Sequence, residues 1–125
     1  MIKQETIDRI IQFRNDRDWA QFHTLKDLSL GLGIEVAELQ EFFLWKTNQE
    51  LSETIELKSE SIGDELADIF IFLTYLSNDL GIDLNKAINK KIDKNANKYP
   101  LEKSKGNNKK YNGCTYCLLF TYQKT

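Results

Sequence analysis

The chain has 125 residues, of which 41% are hydrophobic and 29% are charged, and its formal net charge is −2. This length and apolar content predict one domain with its own core. The near-neutral charge excludes the strongly basic surface that non-specific nucleic-acid binding needs. No apolar stretch approaches the roughly 20 residues that span a bilayer, and the N-terminus does not resemble a leader. We therefore expect a cytoplasmic protein with neither nucleic acid nor membrane as a partner.

The first two predicted helices are amphipathic, and the scarcity of Pro and Gly favours an all-α fold. In residues 5–18, one helix face carries four side chains: Ile7, Ile10, Ile11 and Arg14. The second helix covers residues 27–46, with Asp27 as its N-cap. Gly31 and Gly33 each cost about 1 kcal/mol relative to Ala inside a helix. Either a neighbouring group comes close to them, or they delay the helix start.

A polar connection with a weakly helical centre at residues 50–57 leads to the third predicted helix. This helix covers residues 61–80, with Ser61 opening a capping pair and Gly81 ending it. Asp83 caps a fourth helix, which runs to about Lys98.

The chain changes character after Pro100. We predict a helical domain at residues 1–100 and a polar, turn-rich tail at 101–125 that ends in a short apolar run. Cys114 and Cys117 form a single C-x-x-C there, which has too few ligands for a closed zinc site. We assign the tail no function.

Two acidic pairs are the most informative feature of the sequence: Glu35 with Glu38, and Glu65 with Asp68. The spacing i, i+3 puts each pair on one helix face, within an apolar arc. Two such charges about 4 Å apart repel by about 4 kcal/mol at an effective dielectric near 20. Clustered carboxylates recruit cations, and oxygen-only ligands suit Mg²⁺, with Mn²⁺ as a substitute. The four carboxylates therefore predict a metal site.

Other side chains indicate phosphoryl chemistry on a nucleotide. Lys91 and Asn95 lie along an otherwise apolar stripe of the fourth helix, where they could hold phosphate oxygens. Trp45 falls beside Glu38 and Phe72 beside Glu65, which offers stacking surfaces for a base. The alternatives are ordinary core aromatics and a lysine that extends to solvent.

Three stretches resemble the MazG-like all-α nucleoside triphosphate pyrophosphohydrolases, and most of all their short dCTP pyrophosphatase branch. They are RDWAQFHTLKDLSLGLGIEVAELQEFFLWK at 17–46, GDELADIFIFLTYL at 63–76 and KKIDKNANKYP at 90–100. The resemblance implies a four-helix protomer assembled as a homo-oligomer, with a tetramer favoured over a dimer. It also implies hydrolysis of a nucleoside triphosphate between the α and β phosphates.

The resemblance also implies residue roles. The acidic pairs would hold Mg²⁺, and either Glu35 or Glu38 would act as the general base for water attacking the α-phosphorus. Three residues would contact phosphates or sugar: Lys46, Lys91 and Asn95. Four residues would line the nucleoside pocket: Trp19, His23, Trp45 and Phe72. The chain departs from the branch at Ile10, where the branch has His, and at Phe72, where it has Tyr.

The leading expectation is a Mg²⁺-dependent pyrophosphohydrolase that acts on deoxynucleoside triphosphates, with dCTP or a non-standard analogue favoured. Nucleotide-pool control or house-cleaning would be its role. One alternative is a non-catalytic, antitoxin-like helical interaction module with a vestigial metal site. Another is a phosphoribosyl-ATP pyrophosphohydrolase of related fold.

Overall fold

The computed structural model describes residues 2–107, and every regular element in that range is helical. The all-α prediction is therefore confirmed for that part of the chain. The residues predicted to form the apolar end of the tail, with Cys114 and Cys117, lie outside it. The elements in chain order are α1 (Gln4–Asn15), a 3₁₀ turn (Trp19–Gln21), α2 (Leu25–Glu41), α3 (Asn48–Asp79), α4 (Leu84–Lys98) and the short α5 (Leu101–Ser104).

Helix α2 begins earlier and ends earlier than the predicted range 27–46. Thr24, and not Asp27, is the N-cap: its hydroxyl oxygen accepts a hydrogen bond from the Asp27 N–H at 3.1 Å. The same hydroxyl donates to the Asp27 carboxylate at 2.6 Å, so Asp27 serves as the third residue of the first turn. The helix ends at Glu41, and Trp45 has a left-handed φ of 59°.

The predicted start of helix α3 at Ser61 is wrong, because the helix begins at Asn48. Thr47 and Glu50 form a complete capping box, and the helix continues from there through Ser61 to Asp79. Its one non-helical backbone conformation is at Lys58, with φ −118° and ψ 16°. The connection predicted around residues 50–57 is therefore the first part of this helix.

The end of α3 and the start of α4 follow the prediction. Gly81 has φ 62°, which suits glycine, and its N–H donates to the Asn78 carbonyl at 3.0 Å. The Asp83 carboxylate then accepts the Lys86 N–H at 3.0 Å and caps α4.

The chain forms two compact units that divide between Ile82 and Asp83. In the first unit, α1 and α2 both pack against α3. Among the described residues, the buried hydrophobic side chains are Leu28 and Tyr75. Many large apolar side chains are exposed, including Leu30, Ile34, Leu57 and Leu66. Within residues 2–107, no helix combines the length and apolar character that crossing a membrane requires.

Candidate active site

Three carboxylates from two helices meet in the first unit. Glu35 and Glu38 lie on one face of α2, Glu65 lies on α3, and one oxygen from each falls within 4.8 Å of the others. Glu35 and Glu65 are half-buried, whereas Glu38 is exposed. We call this group the acidic cluster. The packing of α2 on α3 thus joins one carboxylate of the second predicted pair to both carboxylates of the first.

Burial, together with mutual repulsion, raises two pKa values in the acidic cluster. Burial raises the pKa of Glu35 above its ordinary value, and the charges of Asp68, Glu38 and Glu65 add to the rise. Burial also raises the pKa of Glu65, followed by the charges of Glu38 and Asp68. Within residues 2–82 of the first unit, no Lys or Arg forms an ion pair with the three carboxylates. A bound cation would relieve this repulsion.

Asp68 lies one helical turn beyond Glu65, outside the group of three whose oxygens meet. It is exposed, and its charge contributes to the raised pKa values of Glu35 and Glu65. It is therefore close enough to act on the acidic cluster electrostatically. Its predicted role as a fourth metal ligand stays a prediction.

The donor set of the acidic cluster fits a hard divalent cation. All three residues offer carboxylate oxygens, the ligands that Mg²⁺ and Mn²⁺ prefer to imidazole or thiolate. Mg²⁺ usually keeps several waters when few carboxylates hold it. Glu35, Glu38 and Glu65 could therefore hold such an ion and leave positions for a substrate.

The first unit also contains a cleft of about 940 Å³, which is lined mainly by α1, α3 and the segment between α1 and α2. Trp19, His23 and Phe72, three of the predicted nucleoside-binding residues, line this aromatic cleft, as does Asp68. The ring centroids of Trp19 and His23 are 6.1 Å apart, and those of Phe72 and Tyr75 are 6.5 Å apart. Such rings offer flat apolar faces to a planar ligand.

His23 carries an unused polar atom at this cleft. Its Nδ1 is buried and has no hydrogen-bond partner among the described residues. Its ring lies between Trp19 and Tyr75, with 5.7 Å between the His23 and Tyr75 centroids. A buried polar atom without a partner costs about 1 to 3 kcal/mol. A bound ligand or water could supply that partner.

Arg14 and Asp79 form an ion pair that sequence reasoning did not predict. Arg14 is 3% exposed and donates two hydrogen bonds to Asp79, at 2.8 and 2.6 Å. Its guanidinium also lies 4.7 Å from the centre of the Tyr75 ring. The placement of Arg14 on the apolar face of the first helix was the only clue, because nothing local links it to Asp79.

The remaining predicted residues have different surroundings. Lys46 lines a groove of about 620 Å³ together with Glu38 and Glu65. Trp45 is 92% exposed and lines neither this groove nor the aromatic cleft. Lys91 and Asn95 lie one turn apart on α4 in the second unit, Lys91 exposed and Asn95 half-buried. The structure thus brings together Trp19, His23 and Phe72, but not Trp45.

Comparison with known proteins places the chain among related sequences. The family model of the MazG-like family matches residues 31–113, which contain the acidic cluster. Over 102 residues the chain is 37% identical to dCTP pyrophosphatase 1 of Rattus norvegicus and 36% identical to that of Homo sapiens. Each match covers 80% of this chain and 60% of the relative, so the chain spans less than two thirds of their length.

A solved structure is similar over much of the chain. The crystal structure of a pyrophosphatase from Archaeoglobus fulgidus DSM 4304 matches with a TM-score of 0.73 and 37% sequence identity. The match covers 78% of this chain and 91% of the other. Because the family model spans more than half of the sequence, the chain belongs to the MazG-like family.

Proposed function

We propose that this protein is a Mg²⁺-dependent nucleoside triphosphate pyrophosphohydrolase that releases a nucleoside monophosphate and pyrophosphate. The observation that carries the proposal is the meeting of Glu35, Glu38 and Glu65 in the unit that also contains the aromatic cleft. A relative named dCTP pyrophosphatase 1 and a structural neighbour named a pyrophosphatase support the reaction class.

The acidic cluster would hold the metal and position the water. Mg²⁺ supplies charge stabilisation at the phosphates and makes water more acidic. Glu35 or Glu38, whichever is not fully engaged in holding the ion, would accept the proton of the water that attacks the α-phosphorus. Lys46, in the groove beside Glu38 and Glu65, would neutralise phosphate charge. Lys91 and Asn95 are proposed, as in the sequence analysis, to contact phosphate or sugar.

The aromatic cleft would hold the nucleoside. Trp19 and Phe72 offer stacking surfaces, and the unpartnered Nδ1 of His23 offers a hydrogen bond. Ile10 also lines the cleft, and its side chain offers no hydrogen bond there. Deoxynucleoside triphosphates are the proposed substrates, with dCTP or a non-standard analogue favoured, in pool control or house-cleaning in the cytoplasm.

A homo-oligomer is part of the proposal, with a tetramer favoured over a dimer. A protomer that exposes Ile34, Leu66 and other large apolar side chains needs a partner to cover them. Light scattering coupled to size exclusion should give a multiple of the 14.6 kDa chain mass. A monomer at micromolar concentration would contradict this part of the proposal.

The test of the reaction is product identification with each of the eight common nucleoside triphosphates and several modified ones, in Mg²⁺ and in EDTA. Monophosphate and pyrophosphate should form only with Mg²⁺, and the ranking would supply the base preference. Phosphoribosyl-ATP is tested separately. Metal-induced stabilisation without any hydrolysis would favour the helical interaction module.

Substitution of one carboxylate tests the role of the acidic cluster. Glu38→Gln should lower kcat by at least about a hundredfold, because a metal ligand or base is lost. The control is Glu56→Gln on α3, which is exposed, outside the group of three, and lines neither the groove nor the cleft. Circular dichroism should show folded helices for both variants. Equal turnover in the two variants would remove Glu38 from the mechanism.

A further inference from the structure

The ring of Phe72 lies directly against the backbone of α2 at Gly31. A Cβ added to Gly31 would lie 2.8 Å from Cζ and 3.0 Å from Cδ1 of Phe72, and closer still to Cε1. Real Cβ atoms do not approach other atoms below 3.0 Å. Any side chain at position 31 would therefore have to displace the ring or the helix.

Gly33, two residues along the same helix, has no such neighbour. A Cβ there would meet nothing within 4 Å, and the residue is exposed. A glycine inside a helix costs about 1 kcal/mol relative to Ala. Close packing explains this cost at Gly31 and leaves it unexplained at Gly33.

The contact joins the helix that carries Glu35 and Glu38 to a ring that lines the aromatic cleft. Gly31 is one turn before Glu35 on α2, and Phe72 is one turn after Asp68 on α3. The Phe72 ring contacts Tyr75 edge to face and lines the cleft. With the α2 backbone on one side of the ring, the open cleft is the space into which the ring could move.

We propose that Gly31 is a positioning residue for nucleotide binding: its missing side chain lets the Phe72 ring lie against α2 and keeps the cleft open for the base. This inference rests on the proposed pyrophosphohydrolase function. It adds a determinant of nucleoside binding that touches neither metal nor substrate itself. Gly31→Ala would push the ring into the volume that the base needs.

The experiment compares Gly31→Ala with Gly33→Ala as the matched control, because both changes add one methyl group to the same helix. For the best nucleotide, Gly31→Ala should raise KM by about tenfold or more, since a displacement of about 1 Å at a binding surface has effects of that size. KM of Gly33→Ala should stay within about twofold of the wild type, because nothing there is displaced. Mn²⁺ affinity should be unchanged in both.

A shorter side chain at position 72 provides the rescue. Leu lacks the ring atoms that meet the added Cβ, so Gly31→Ala should raise KM by less than about twofold when introduced into Phe72→Leu, as coupling of the two sites requires. In the same way, Gly31→Ala should change the melting temperature less in Phe72→Leu than in the wild type. If Gly31→Ala alone does not fold, a folded double variant with the KM of Phe72→Leu gives the same support.

Three results would overturn the inference. The first is a KM for Gly31→Ala equal to that of Gly33→Ala. The second is an increase in KM that persists undiminished in Phe72→Leu. The third is a loss of Mn²⁺ affinity in Gly31→Ala, which would show that α2 moves and not the ring. Failure of the proposed function is distinguishable, because the wild type and Gly33→Ala would then both be inactive.

Discussion

Helix α3 carries two carboxylates in opposite electrostatic states. Glu65, in the acidic cluster, has a raised pKa because of burial and the neighbouring charges of Glu38 and Asp68. Asp79, at the end of the same helix, has a lowered pKa because Arg14 donates hydrogen bonds to it. At a rise of 1.5 Å per residue, the two positions are about 21 Å apart.

The difference lies in the partner and not in the residue type. Asp79 has its cation within the chain, so its charge stabilises the attachment of α1 to α3. The charged groups that shift the pKa of Glu65 are all carboxylates, so its charge is a cost until a cation binds. Asp79 is therefore a structural residue in this account, and Glu65 is a functional one.

The largest expected effect follows from neutralising Glu65. Glu65→Gln should reduce Mg²⁺-dependent turnover by about a thousandfold, because a metal ligand is lost. The metal-free variant should melt at the same temperature as the metal-free wild type or higher, because one repelling charge is gone. Differential scanning calorimetry in EDTA measures this. A strongly lowered melting temperature would assign Glu65 a structural role instead.

Removing the charge of Asp79 should destabilise the fold and leave metal binding intact. Asp79→Ala leaves the buried Arg14 guanidinium without its partner and should cost about 3 kcal/mol of unfolding free energy. Urea unfolding measures the loss, and Mn²⁺ affinity should be retained. The control is Arg14→Met with Asp79→Leu, which removes both charges and should cost less than Asp79→Ala alone. A larger loss in the double variant would contradict the ion-pair explanation.

The two regions should also respond oppositely to pH. The raised pKa values of Glu35 and Glu65 mean that metal-free stability falls as pH rises from the ordinary carboxyl pKa through the raised values. The lowered pKa of Asp79 means that its contribution is present above the ordinary pKa and is lost as pH falls through the lowered value.

Melting temperatures across pH 3 to 8, with and without Mg²⁺, check this expectation. Since protons and metal compete for the carboxylates, the increase caused by Mg²⁺ should grow with pH. In Glu65→Gln the increase in melting temperature caused by Mg²⁺ should depend little on pH. In Asp79→Ala it should still grow with pH. A Mg²⁺ effect independent of pH in the wild type would contradict metal binding at the acidic cluster.

The smallest effect is expected at the start of α3. Thr47→Ala removes the capping hydroxyl that accepts the Glu50 N–H at 3.3 Å and should cost about 1 kcal/mol. Because Thr47 contributes no ligand to the acidic cluster, Mn²⁺ affinity should not change. Urea unfolding and a Mn²⁺ titration measure the two quantities. A matching loss of metal affinity would show that the first part of α3 positions the acidic cluster.

Local sequence patterns predicted the end of α3 and both ends of α4, but not the start of α3 or the end of α2. Ser61 with Asp64 and Thr47 with Glu50 both have capping spacing, and only the second pair forms a cap. Ser61 lies inside a helix that had already begun, and its local pattern cannot reveal this. In contrast, Gly81 and Asp83 were readable because left-handed backbone and N-cap preferences are local properties.

Contacts between distant residues could not be predicted. The pairing of Arg14 with Asp79 and of Gly31 with Phe72 depends on how helices lie against each other. The helical periodicity that places Trp45 beside Glu38 fails because α2 ends at Glu41, before Trp45. Helical spacing could show which residues share a face, but not which face meets another helix.

The most direct test of the central claim is the electron paramagnetic resonance signal of free Mn²⁺ in titrations with wild-type protein and with Glu65→Gln. Free Mn²⁺ should decrease on adding the wild type, in a manner that Mg²⁺ reverses, and should persist with Glu65→Gln. An unchanged signal with the wild type, or equal binding by both proteins, would contradict the assignment of the acidic cluster as the metal centre.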